Sequence, residues 1–363
     1  MIHPEFWRSR RVFLTGHTGF KGSWLALWLQ QLGANVTGYA LAPATNPSLF
    51  NIANVSAGMT SVLGDIRDAT RLQQTLQKAQ PEVVLHLAAQ PIVRLSYSDP
   101  VETYSTNVMG LVNLFEAIRA VGGVRACVNV TSDKCYENHE WVYGYRESDA
   151  MGGYDPYSSS KGCAELVTAA YRRSFFSGED PSKAVALASA RAGNVIGGGD
   201  WAPDRLIPDI MRAVAARTPV EIRHPGAVRP WQHVLEPLSG YLMLAERLMG
   251  ESGAGYAQGW NFGPAPSDTR PVAWIADYVT RLWGGGASWR HIDTSDGLHE
   301  AHSLSLDCLK AHRELNWRPA WNIDAALEKI VDWHRSHLAG ADMKECSLQQ
   351  IAQYCSSLAA REA

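Results

Sequence analysis

Along the first two hundred residues, short apolar runs alternate with longer stretches in which apolar residues recur every three or four positions. "RVFLTG" (Arg11–Gly16) predicts a buried strand, followed by the glycine-bearing "HTGFKG" and by "SWLALWLQQLG", an amphipathic helix closing at Gly33. "ANVTGYAL" predicts a second strand, "TSVLGDIRD" (60–68) a third, and "ATRLQQTLQKAQ" another helix. "PEVVLHLAAQ" is apolar with little interruption, as a parallel strand buried on both faces should be. A helical pattern over 99–121 leads to a fifth strand at 125–130, and "DPYSSSKGCAELVTAAYRRSF" predicts a helix with proline in its first turn. "AVALASARAGNVIGGG" supplies the sixth strand.

Strands alternating with helices of ten or more residues imply an α/β fold, a doubly wound parallel sheet of the Rossmann type. Beyond Gly199 the regularity weakens, and Pro, Trp and Arg become frequent ("RHPGAVRPWQHV", "NWRPAW"), as expected of a smaller C-terminal substrate-binding lobe. The expected division is 1–190 as a dinucleotide-binding domain joined by part of 230–260, 191–340 as the substrate lobe, and 341–363 as a peripheral tail without chemistry.

Composition narrows the function classes. A net charge of −3 over 363 residues gives no general electrostatic attraction to a nucleic-acid backbone or an anionic membrane, so phosphate must be held by local groups. The six cysteines show neither C-x-x-C spacing nor a disulfide-dense pattern, which suits reduced thiols in the cytoplasm. The twelve histidines form no paired-ligand motif, so no metal is expected. No signal peptide or membrane span is expected either.

"GHTGFKG" spaces Gly16, Gly19 and Gly22 three apart between the first strand and first helix. A tight strand-to-helix turn needs residues without Cβ, and a dinucleotide pyrophosphate must approach the amides at the helix N-terminus. His17 and Phe20 lie within that loop. At the end of the second strand, an acid would bind the ribose hydroxyls of NAD and an arginine the phosphate of NADP; "VTGYAL" offers neither, so the motif leaves that choice open. Asp65, beside Ile66 in "GDI", is placed to meet an adenine amino group or to serve as a strand-end turn acid.

"YSSSK" sets Tyr157 and Lys161 four apart, on one face of a helix. A nearby ammonium favours phenolate, which can remove a hydroxyl proton as hydride leaves the same carbon, so a lowered Tyr157 pKa is expected. In "NVTSDKCYEN" a strand empties into Ser132, Asp133 and Lys134. Such a pair is either a solvated turn or an acid and a base; both side chains reach one ligand only if the chain turns over 132–135.

Taken together, "TGHTGFKG", "GDIRD", "HLAAQ", Asn107, "TSDK", "YSSSK", "GNVIGGGDW", "RPWQHV" and "LDCLKAHRELNWRP" resemble the extended short-chain dehydrogenase/reductase family over roughly 8–340. Within it, "TSDKCY", "AAQPIVRLSY" and "RAGNVIGGGDWAPDRLIPD" are similar to the sugar-nucleotide 4,6-dehydratases that take CDP-D-glucose. Related dehydratases typically carry Asp–Glu where this chain has Asp133–Lys134, and epimerases of this fold lack both. The alternatives are another dehydratase or a 4-epimerase of the family, or a noncatalytic dinucleotide-binding protein.

The resemblance implies NAD as cofactor, held by the glycine loop, Asp65, Ile66, Leu87, Ala88, Ala89, Tyr157 and Lys161. It implies catalysis by Ser132, Asp133 (acid), Lys134 (base), Tyr157 and Lys161. For the substrate it implies Gln90, Arg94, Asn107, Asn194, Trp201, Arg205, Leu206, Arg229 and His233, with the two lobe arginines as diphosphate clamps. Trp201 and Trp231 either stack on a base or fill the lobe, and Gln90 and Arg94 either line the cavity or are a loop amide and a surface cation. The resemblance also implies a homodimer or higher homo-oligomer, through helices over 99–121 and 156–176.

Overall fold

The computed structural model describes residues 2–177, 184–293 and 303–362. Seven parallel strands form the main sheet: β1 (Arg11–Thr15), β2 (Asn35–Ala40), β3 (Thr60–Leu63), β4 (Val83–His86), β5 (Ala126–Val130), β6 (Ala186–Arg191) and β7 (Gly259–Asn261). Their spatial order is β7-β6-β5-β4-β1-β2-β3. The chain builds outward from β1 to β3, then returns to lay β4 on the other side of β1. The topological switch point therefore falls between β1 and β4, where this class of sheet opens a crevice for ligands.

The central strands are mostly apolar because both faces are covered: every residue of β4 and β5 is buried, His86 and Asn129 included. Successive side chains feed two cores, Val12 and Leu14 packing with Trp24 and Trp28 on one face and Phe13 with Leu72 and Leu114 on the other. A third core, around Ile207, Ile210, Ile275 and Ile330, belongs to the small lobe. Residues 235–261 leave that lobe as a buried helix (Leu235–Leu248) and add β7 to the main sheet, parallel to β6.

Two helices differ from their expected form. The first, α1 (Phe20–Gln31), is buried without a break from Gly22 to Leu29 and is not amphipathic. The reason lies at the far end of the sequence. Met343–Glu362 is one helix whose stripe Met343, Ser347, Gln350, Ile351 and Tyr354 is buried, with the Tyr354 ring meeting Trp28 edge-on at 5.7 Å. The segment expected to be a peripheral tail thus covers the exposed flank of α1. The run over 99–121 is also interrupted, by a π-turn at Ser105–Met109 between helices Pro100–Tyr104 and Gly110–Val121.

The final helix is locked by a carboxyl group in the core. Glu236 accepts bonds from the Ala320 and Trp321 amides (2.9 and 2.7 Å) and from the Tyr354 hydroxyl (2.6 Å). Burial pushes its pKa up to about 7, with those three donors opposing the shift. Because the folded chain holds this proton more tightly than the unfolded one, stability should fall as pH rises from about 4.5 to about 7, by roughly 3 kcal/mol if fully expressed. Thermal unfolding across pH 4.5–8 should show that decline in the wild-type protein, and Glu236→Gln should flatten it.

Candidate active site

The carboxyl ends of β1, β4 and β5 and the facing wall of the small lobe enclose a cavity of about 2340 Å³. Its floor is the glycine turn. Gly16 has φ +76°, and a Cβ there would lie 2.8 Å from the Leu87 and Ala88 backbone; one on Gly22 would lie 2.0 Å from the Gly16 carbonyl oxygen. These are cradle positions that only hydrogen can fill, which fits the close approach of a pyrophosphate to the N-terminus of α1. The Thr15 hydroxyl accepts from the Leu87 and Ala88 amides, both at 3.1 Å, so its one proton points to His86 Nδ1 at 2.7 Å. His86 is thereby fixed as a neutral ring protonated at Nε2, in keeping with a pKa lowered to about 3 by burial.

At the far end of this floor, Asp65, Ile66 and Ala89 line the cavity. The Asp65 carboxylate is held by Arg67 through Nε (2.9 Å) and Nη2 (2.5 Å), which keeps it below its usual pKa and able to accept from an amine. Tyr39, where a ribose-binding acid would stand, is buried and donates to the Asp65 carbonyl at 2.9 Å.

Beyond β5 the chain does turn. Ser132 caps a 3₁₀ turn over Asp133–Cys135, accepting the Lys134 amide at 3.2 Å and donating to Asp133 Oδ1 at 2.9 Å. A turn in place of continued strand brings Ser132, Asp133 and Lys134 to the same cavity, Asp133 buried and Lys134 half-buried. Asp133 Oδ2 has no hydrogen-bond partner among the described residues and occupies the space that a Cβ on Gly193 would need, 1.7 Å away. Burial raises the Asp133 pKa; the neighbouring Lys134 charge and the Ser132 bond oppose that shift without overcoming it.

Across the cavity stands the helix Pro156–Tyr171, capped by Asp155 accepting from the Ser158 amide at 2.9 Å. It presents Tyr157 and Lys161, both buried. The expected lowering of the Tyr157 pKa is not found. Burial pushes the phenol up to about 12 although the Ser132 hydroxyl pulls the other way, and Lys161 itself is brought down to about 8 by burial. Removing water from the pair outweighs the attraction expected between them.

The small lobe supplies Asn194, Trp201, Arg205, Leu206 and Arg229 to the cavity wall, and the β4 side supplies Gln90 and Arg94. Arg205 pairs with Asp200 at 2.9 Å and Arg94 with Asp204 at 3.8 Å. Trp201 packs edge-on against Trp333 at 5.7 Å, so it fills the lobe as well as lining the cavity, and Trp231 is buried with its indole N–H on the Arg270 carbonyl. The Gln90 amide is spent internally, on Thr103 Oγ1 (2.9 Å) and on both polar backbone groups of Ile92.

Three residues expected at the ligands do not reach the cavity with their side chains. Asn107 sits behind the wall, bonding both backbone groups of Gln90 and the Ser160 hydroxyl; the π-turn that carries it aims it at the loop. His233 is fully buried between Trp24 and Trp321. His17 turns under the sheet to Ser61 Oγ at 2.7 Å, and burial lowers its pKa to about 4.

Residues 13–249 match the sequence profile of the GDP-mannose 4,6-dehydratase family. The chain belongs to that family. It is 56% identical over 358 residues to CDP-glucose 4,6-dehydratase of Salmonella typhimurium, covering 98% of this chain and 99% of that one. Among solved structures, UDP-glucose 4-epimerase of Thermotoga maritima superposes with a TM-score of 0.78 at 20% identity, over 90% of this chain and 99% of the other. A double mutant of dTDP-glucose 4,6-dehydratase from Streptomyces venezuelae, with NAD bound, gives 0.76 at 24% identity, over 92% and 99%.

Among the cavity residues that sequence reasoning passed over is Lys21 of "GFKG", which donates to the Tyr241 hydroxyl at 3.0 Å. Burial first, then the Lys161 and Arg205 charges, lower its pKa to about 7, while Asp133 opposes. The available signal was a charged residue where the helix is otherwise apolar. The cradle itself is directly testable: Gly22→Ala should keep its far-ultraviolet circular dichroism yet weaken NAD binding about tenfold or more, read by fluorescence titration.

Proposed function

We propose that this protein converts CDP-D-glucose to CDP-4-keto-6-deoxy-D-glucose with loss of water, using NAD, as a step toward the deoxysugars of surface polysaccharide such as the O-antigen of lipopolysaccharide. One observation carries the reading: a buried carboxyl and an amine on a single turn face the cavity that also holds Tyr157 and Ser132. An epimerase, which only oxidises and reduces one carbon, has no use for that pair. Full-length identity of 56% with a CDP-glucose 4,6-dehydratase supports the choice of substrate.

When bound on the Gly16–Gly22 cradle, NAD supplies hydride storage and return. The remaining steps belong to side chains. Tyr157 takes the proton from the hydroxyl on sugar carbon 4 as phenolate, a form that the positive charge of bound NAD would favour against burial, and Ser132 bridges that hydroxyl. The ketone so formed acidifies the hydrogen on carbon 5, which Lys134 removes as Asp133 protonates the departing hydroxyl on carbon 6. The raised pKa of Asp133 suits a donor. Asp133 gives up a proton as Lys134 gains one, so both proton transfers of the elimination are completed within one turn. Arg205 and Arg229 serve as clamps for the diphosphate.

Two further features complete the reading. Val101, Tyr104 and Met109 on one helical run, and Leu166 and Phe175 on the other, are exposed apolar residues, which supports homodimerisation through these helices. Free thiols at all six cysteines fit a cytoplasmic setting, and no helix among the described residues is long and apolar enough to cross a membrane.

Incubation with NAD and CDP-, dTDP-, UDP- or GDP-glucose should give mass loss of one water with the CDP sugar first; turnover of another nucleotide alone would refute the substrate. Lys134→Met should bind NAD and still oxidise carbon 4 slowly, while exchange of the carbon-5 hydrogen with deuterated water disappears. For the dimer, sedimentation of Leu166→Glu should shift toward half the wild-type mass.

A further inference from the structure

The turn that bears Asp133 and Lys134 is held from behind by a salt bridge outside the cavity. Glu165 lies one helical turn past Lys161, and both it and Arg191, the last residue of β6, are buried. They meet in a two-pronged pair, Arg191 Nε to Glu165 Oε1 at 2.9 Å and Nη2 to Oε2 at 2.8 Å. Each partner then grips one end of the turn. Thr131, just before Ser132, donates to Glu165 Oε1 at 2.5 Å; Arg191 Nη1 donates to the hydroxyl of Tyr136, just after Cys135, at 2.5 Å. The Ser189 hydroxyl fills the last position on Glu165 Oε2 at 2.6 Å, and Tyr136 passes its own proton to Asn261 Oδ1 at 2.8 Å. Gly259 leaves room for the guanidinium, since a Cβ there would lie 2.5 Å from Nη2.

Resting on the functional reading above, we infer that Glu165 and Arg191 are positioning residues that set the Thr131–Tyr136 turn so that Asp133 and Lys134 address the same sugar. An extended strand would aim neighbouring side chains in opposite directions. The pair prevents this by fixing where the segment leaves β5, at Thr131, and where it re-enters the core, at Tyr136. A planar, forked contact restrains orientation as well as distance, which a point charge cannot do. Tyr157 and Lys161 are carried by their helix and the turn lends the oxidation only Ser132, whereas both members of the acid–base pair ride on the turn, so elimination depends on this clamp more than the oxidation does.

Removing either charged partner leaves the other buried and alone, which threatens folding. The decisive variant is therefore Tyr136→Phe combined with Thr131→Val, which frees both ends of the turn and leaves the ion pair intact. Two reactions are compared in wild type and variant. CDP-6-deoxy-D-glucose has no leaving group on carbon 6 and reports oxidation through absorbance of reduced nicotinamide; CDP-D-glucose in deuterated water reports elimination through deuterium at carbon 5 of the product. Elimination should fall about tenfold or more relative to oxidation, and Arg191→Lys should shift the ratio in the same direction. Equal losses in both reactions, or no loss in either, would overturn the clamp. Wild-type protein that dehydrates no sugar nucleotide would instead overturn the functional reading on which it rests.

Discussion

Water is kept from one carboxyl group, and much of the architecture around the site follows from that. Asp133 is buried with one oxygen bonded to Ser132 and the other, against Gly193, unpartnered among the described residues. Ionised in that position it would be costly, so it shifts toward the protonated form, which is what an acid for a departing hydroxyl requires. The same dryness acts on its neighbours: Tyr157 rises and Lys161 falls. Three groups of ordinary chemistry are each drawn toward neutrality by a shared enclosure.

What was legible in the sequence was whatever lies close together along it. Glycines three apart between a strand and a helix, and Tyr157 four residues before Lys161, are local patterns with one geometric meaning each. The alternation of strands and helices likewise specified a parallel sheet, since each unit reports its own period. Even the bend after β5 was deducible, because two adjacent side chains cannot otherwise serve one ligand.

What escaped was set by partners distant in sequence. Nothing local marks Asn107 as facing a loop in place of the cavity, since a π-turn rotates it and that turn has no simple periodic signature. His233 was expected at the substrate through the resemblance carried by "RPWQHV"; two indoles from elsewhere enclose it. Glu165 and Arg191 stand 26 residues apart on a helix and a strand. Only the folded sheet makes them neighbours. The direction of the tyrosine shift was missed for a related reason, because the depth of burial at Tyr157 is set by the fold and not by its neighbours in sequence.

The helix that opens the nucleotide cradle is buried on every side from Gly22 to Leu29, and its Trp28 flank is covered by residues beyond 342. These two pieces are made about three hundred residues apart. Until the later one emerges from the ribosome, the nascent chain carries the Trp28 face of this helix without its permanent cover. Closure of this Rossmann unit therefore waits for residues beyond 342, and a polypeptide lacking them would be an adhesive species, not a smaller working one.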